Sequence, residues 1–219
     1  MSDIQRSGDD ADEKETGRIE AFSDGVIAIA ITLLVLDLRV PTLAAVQEHG
    51  GLLQALSEDW PIYLAFLAGF FAILVMWINH HRMFSAIRRA DDTLMILNGL
   101  LLLGITVIPF PTKLVAEYLQ TDYASVAVAI YAGWSVLLAI FFNLLWRYAA
   151  HHQHLFSRRT DLTLVRYISW QYMFGPVFYL VALLVAFVSP ALGLLICMGL
   201  AIFFSLPNKQ YQSLRKSVQ

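Results

Sequence analysis

Four stretches of this chain carry no charged residue: those between Asp59 and His80, Asp92 and Lys113, Asp122 and Arg147, and Arg166 and Lys209. A helix rises 1.5 Å per residue, so about 20 apolar residues cross the hydrocarbon core of a bilayer. The first three stretches fit one helix each. The fourth is about twice that length and is broken at Ser189-Pro190, where proline cannot continue a hydrogen-bonded helix, so it reads as a helical hairpin. A further apolar run, Ile19 to Leu38, precedes them and differs in holding Asp24 about a turn inside. Six spans are therefore expected, near 19–38, 60–81, 93–112, 123–147, 166–188 and 191–207. Composition agrees: 58% of the residues are hydrophobic and 15% charged, against roughly 45–50% apolar in a soluble domain. The fold class is an all-α integral membrane protein.

Several function classes fall away. A net charge of −2 gives no basis for nucleic-acid binding, and the single Cys197 cannot form an intrachain disulfide, so it reads as a small packing residue. There is no Gly-x-Ser-x-Gly and no glycine-rich phosphate loop, so no enzyme and no cofactor are expected. His80-His81 and His151-His152-Gln153-His154 lack a Cys or carboxylate at ligand spacing, so no metal site is expected either. Trp60, Trp134, Trp146 and Trp170 read as interfacial anchors or packing.

Residues 1–17 are acidic and polar, without the basic start of a signal peptide, and read as a flexible cytoplasmic tail. Residues 208–219 form a second tail, leaving 18–207 as the membrane domain. Leu43 to Leu56 is weakly amphipathic and suits the membrane surface. Basic residues bias their loops toward the cytoplasm. Arg6, Lys14 and Arg18 precede the first span; Arg82, Arg88 and Arg89 follow the second; Arg147, Arg158, Arg159 and Arg166 follow the fourth; Lys209, Arg215 and Lys216 follow the sixth. Only Arg39 and Lys113 lie opposite, so both termini are expected in the cytoplasm. The outer side carries Asp37, Glu48, Glu58, Asp59, Glu117 and Asp122, an acidic face able to concentrate cations.

That topology brings polar residues to one depth. Asp24 and Asn98 each lie about five residues in from the cytoplasmic start of their helices, Asn79, His80 and Asn143 lie near the cytoplasmic ends of theirs, and Gln171 enters with the fifth. An ionised residue inside lipid costs a few kcal/mol or more unless it finds partners, so Asp24 is expected to look inward, with Ser23 beside it bridging toward the second and third helices. Such a layer serves as structural glue or as a proton relay. Ala65-x-x-x-Gly69 adds a small-residue step suited to close helix contact.

The order Arg18-x-x-x-Phe22-Ser23-Asp24, followed by Gly25 and an aliphatic run, resembles the first helix of the bacterial relatives of the lysosomal/endosomal potassium channel, a family without the usual carbonyl-lined filter. Trp77-Ile78-Asn79-His80-His81 and Asn98 with Ile108-Pro109-Phe110-Pro111-Thr112 look like family patterns in the second and third helices. The resemblance implies that the Phe-Ser-Asp motif is a packing keystone beside a pore, and that the first helix lines that pore in a homotetramer. Phe22, Val26, Ile29, Leu33 and Leu36 recur at spacings of four and three and form one helical stripe. By the resemblance, Ile29, Leu33 and Leu36 would be its constriction, with Thr32 offering a hydroxyl. No Thr-Val-Gly-Tyr-Gly filter is present, so selectivity would rest on the width and dewetting of an apolar neck.

The expected function is a potassium-preferring cation channel of a prokaryotic inner membrane. Its permeant species are potassium and other monovalent cations, and its partners are the bilayer and its own copies. Two alternatives stand beside it: a proton-coupled small-solute transporter using Asp24 and His80, and a non-conducting membrane scaffold.

Overall fold

Helix α1 spans Ser2–Leu33 and tightens into a 3-10 turn at Leu34–Asp37, ending where the chain becomes extended at Leu38 ahead of Pro41. The structure is a computed structural model that describes residues 2–156 and 162–205. The segment expected as a tail before Arg18 is thus helical from Ser2 onward. The C-terminal tail, 208–219, lies outside the described residues, as do Arg158 and Arg159 of the loop expected in the cytoplasm.

The weakly amphipathic stretch forms two short helices, α2 (Leu43–Glu48) and α3 (Leu52–Glu58). Thr42 caps α2 by accepting from the Ala45 N–H. Gly50 (φ 77°) and Gly51 (φ 150°) separate the two helices in a backbone region that other residues rarely enter.

Long helices follow: α4 (Trp60–Phe84), α5 (Asp92–Val107) running through Ile108 into α6 (Pro109–Tyr118), α7 (Ala124–His151), α8 (Leu162–Ala186) and α9 (Pro190–Ser205). Asp91 caps α5, its Oδ1 accepting from the Leu94 N–H at 2.8 Å. Pro109 supplies no N–H, which marks the joint between α5 and α6 without ending the span. At the Arg-rich end, Ile87 pairs with Phe156 in an isolated antiparallel bridge, and the Arg88 and Arg89 N–H groups both reach the Leu155 carbonyl.

Five of these segments are long and apolar enough to cross a bilayer: Thr16–Asp37, Trp60–Phe84, Asp92–Tyr118, Ala124–His151 and Ile168–Ala186. The expected sixth is shorter than a full span among the described residues, because α9 has 16 residues where about 20 are needed. The helical hairpin is nevertheless present, turning at Ser189 with Gly193 set against Ala186.

Between helices in lipid there is no hydrophobic drive, so close contact at small residues and polar bonds hold the bundle. The Ala65/Gly69 step does this on α4. A Cβ placed on Gly69 would stand 2.9 Å from Thr112 of α6 and 3.2 Å from Leu34. Gly104 of α5 meets Leu138 and Phe141 of α7, and the Trp134 indole donates to the Gly104 carbonyl at 2.9 Å. Trp134 and Trp146 are therefore bonded interior residues; Trp146 is fully buried and donates to Ser169 Oγ. Of the four expected as anchors or packing, Trp60 and Trp170 are exposed. Cys197 is buried among α7, α8 and α9, as a packing residue should be.

Candidate functional site

Helix α1 presents two faces. Ser23, Ile27, Ala30 and Leu34, at helical spacing, are buried against α4 and α5. Roughly 100° or more around the helix from that face, Phe22, Ile29, Leu33 and Leu36 are 66%, 61%, 44% and 74% exposed, an uncovered apolar strip. Val26, expected on the same stripe, is half-buried and packs on the core from its edge. Thr32 lies on the exposed side with its hydroxyl donating to the Ile29 carbonyl at 2.9 Å, which commits its proton but leaves its oxygen lone pairs available.

The polar residues do not form one layer. They form two clusters and a seam. In the first cluster, Ser23 Oγ donates to the Ile19 carbonyl at 2.8 Å, Asn98 Nδ2 donates to Ser23 Oγ at 3.0 Å, and Asn98 Oδ1 lies 2.9 Å from His80 Nε2. All three side chains are buried. The Ser23 proton is spent on Ile19, so its oxygen accepts from the Asn98 amide. That turns the Asn98 oxygen toward His80, whose Nε2 must then be the protonated nitrogen. His80 Nδ1 is left buried without a partner among the described residues, with its ring stacked 4.4 Å from that of Phe84.

In the second cluster Asn79 donates to the Val75 carbonyl at 2.9 Å, its Oδ1 faces the Tyr172 hydroxyl at 3.4 Å, and Asn143 donates to the Tyr172 carbonyl. A cavity of about 60 Å³ lies beside it, walled by Val75, Phe142, Tyr179 and Phe204. Adjacent residues on a helix point about 100° apart, so Asn79 and His80 serve different sides of α4. The side chain of Gln171 lies outside the described residues.

Asp24 does not join the buried cluster. It is half-buried at the α1–α4 seam and accepts from the Trp77 indole N–H at 2.9 Å. The correction has the same cause, since the step from Ser23 to Asp24 turns the carboxylate out of the Ser23 contact. One turn away on each of these antiparallel helices, Glu20 lies 2.7 Å from His81 Nδ1, and His81 stacks on Trp77. That second pair was missed, although matched four-residue spacings, Glu20/Asp24 and Trp77/His81, mark it in the sequence. Arg18 is exposed, one turn nearer the start of the helix than Phe22.

The expected acidic face is partly neutralised. Arg39 pairs with Glu117, and Lys113 Nζ lies 3.3 Å from Asp37. Glu48, Glu58, Asp59 and Asp122 remain as its acidic residues.

Comparison with known proteins follows this geometry. The family model described as the endosomal/lysosomal potassium channel TMEM175 matches residues 18–109, the segment containing the exposed strip, the Ser23/Asn98/His80 cluster and the Asp24–Trp77 seam. A potassium channel of Chamaesiphon minutus is 51% identical over 195 residues, covering 89% of this chain and 96% of that protein. A potassium channel of Streptomyces collinus is 43% identical over 191 residues, covering 87% and 91%. Among solved structures, a lysosomal potassium-selective channel TMEM175 homologue from Chamaesiphon minutus superposes with a TM-score of 0.80 at 50% identity, covering 88% of this chain and 97% of that one. That family is one of ion channels and not of enzymes. The chain belongs to the TMEM175 potassium channel family.

Proposed function

We propose that four copies of this chain surround a potassium-preferring cation pore in a prokaryotic inner membrane, with α1 of each copy lining it and both termini in the cytoplasm. The observation that carries this reading is the exposed strip of Phe22, Ile29, Leu33 and Leu36, turned roughly 100° or more around the helix from the face by which α1 is anchored. One such strip encloses nothing, so a conducting path needs a ring of them, and closed symmetry supplies it. Four converging aliphatic side chains at each of Ile29, Leu33 and Leu36 make a neck that gates by dewetting. Ions passing it shed part of their hydration, which keeps conductance low and favours potassium, the more weakly hydrated ion, over sodium.

The polar groups support this division of labour. Ser23, Asn98 and His80 are sealed inside the subunit, and Asp24 is bonded to Trp77, so these groups hold the angle of α1 and stand apart from the permeation strip. The two related bacterial proteins named potassium channels align over almost their whole length, which supports potassium as the permeant ion here. The test is the mass of the detergent-solubilised protein with liposome flux beside it. A tetramer carrying electrogenic potassium flux without a proton gradient is expected. A monomer without flux is the opposing result.

A further inference from the structure

We propose that the groove between the end of α7 and the start of α8 binds the phosphate of an anionic phospholipid, with the acyl chain running along the same two helices. The groove has a volume of about 590 Å³ and is lined by Arg147 and His151 of α7 and by Arg166, Ser169, Trp170 and Met173 of α8. Helix α7 has 28 residues, or about 42 Å at 1.5 Å per residue, which exceeds the ~30 Å hydrocarbon core. Arg147 ends the charge-free part of α7 and so stands at head-group level.

Charge and shape point to the same occupant. Both guanidiniums are exposed, and among the described residues no carboxylate lines the groove and neither Arg147 nor Arg166 has an ion-pair partner. Other basic groups at the helix ends are met: Arg39 by Glu117, Lys113 by Asp37, and Arg82 by the Phe204 and Ser205 carbonyls. Guanidinium forks match phosphate oxygens in geometry, and a basic pocket between membrane helices suits an anionic head group.

The groove then turns apolar toward the membrane interior. Arg166, Trp170, Met173 and Val177 share one face of α8 at helical spacing, and the last three are exposed; Leu144 continues the α7 side, also exposed. A free phosphate has no use for that apolar continuation, whereas a lipid needs both ends. Helix α8 packs on α7 and α9 while α1 packs on α4 and α5, so a ring with α1 at its axis leaves this groove on the lipid side.

The test is binding to the delipidated full chain in detergent, followed by native mass spectrometry and thermal unfolding, with phosphatidylglycerol, phosphatidylcholine and inorganic phosphate as separate probes. Phosphatidylglycerol is expected to bind and raise the melting temperature, with inorganic phosphate at the same concentration giving no shift. Each surface charge contributes about fivefold. Arg147→Gln and Arg166→Gln should therefore each weaken phosphatidylglycerol by about fivefold and together by about 30-fold, with a smaller loss for phosphatidylcholine, whose choline cation offsets the same phosphate charge. Both side chains are exposed, so lipid-free melting serves as the folding control and is expected at the wild-type value. Equal binding of the two lipids, an undiminished phosphatidylglycerol preference in the double variant, or an equal shift from inorganic phosphate would each overturn the proposal.

Discussion

The Trp77 indole N–H donates to the Asp24 carboxylate at 2.9 Å, joining the helix that carries the exposed strip to its neighbour α4. Asp24→Ala leaves that indole without its acceptor, and Asp24→Asn retains an oxygen for it. The Ala variant is expected to lose about 1–2 kcal/mol of stability and to assemble poorly, while the Asn variant loses less. Thermal unfolding with size-exclusion chromatography reads both. An Asp24→Ala protein of normal stability and assembly that lacked only permeation would assign Asp24 to conduction.

Asn98 occupies the centre of the buried triad, donating a hydrogen bond to Ser23 and accepting one from His80. Asn98→Ala strips both partners at once, and buried groups left unmatched cost roughly 1–3 kcal/mol each. A large fall in melting temperature is expected, greater than for Asp24→Ala. His80 holds its proton on Nε2, and its other nitrogen meets no partner through which to pass one on. Potassium flux should therefore need no proton gradient. Proton-dependent uptake abolished by His80→Gln would revive the transporter reading.

Much of this was legible in the sequence because lipid leaves few options. Charge-free runs set the spans, Ser189-Pro190 set the hairpin, and four-and-three spacing picked out the exposed strip on α1. Direction around a helix was read less well. Asp24, Asn79 and His80 were placed in a single layer, and only packing decides which neighbour each one meets. Tyr172, which joins Asn79 to Asn143, gave no signal, because one tyrosine in an aromatic-rich span looks like any other.

Gly193 allows α9 to fold back on α8. A Cβ there would lie 2.9 Å from both Cα and Cβ of Ala186, and a backbone atom cannot rotate aside. Gly193→Ala is expected to cost about 1–3 kcal/mol. Gly99→Ala is the control, since nothing lies within 4 Å of its added Cβ. Equal melting of the two variants would contradict the close approach.

Asp91 ties α5 to α7, accepting from the Leu94 N–H and from the Tyr148 hydroxyl, each at 2.8 Å. Desolvation pushes its carboxyl up, but these two bonds, with the nearby His152 and His154, outweigh it and hold the group below the usual carboxylate range. A depressed carboxyl stabilises the fold above its unfolded value, and that contribution is lost as pH falls through the folded one. Asp91→Ala should lower stability at neutral pH by roughly 1 kcal/mol and flatten the acid limb of a melting-versus-pH curve. An unchanged acid limb would remove Asp91 from that role.

The central claim is that the exposed strip of α1 lines the permeation path, and one pair of variants tests it. Ile29 is 61% exposed on the strip, whereas Ile31, about 200° around the helix, is half-buried and packs on the core. Liposome flux and single-channel recording of Ile29→Asn and Ile31→Asn decide between a pore face and a packing face. Amides at Ile29 hold water in the neck, so Ile29→Asn should raise cation flux and lower the preference for potassium over sodium, while Ile31→Asn should lower stability without a gain in flux. Equal effects at the two positions, or no change at Ile29, would contradict it.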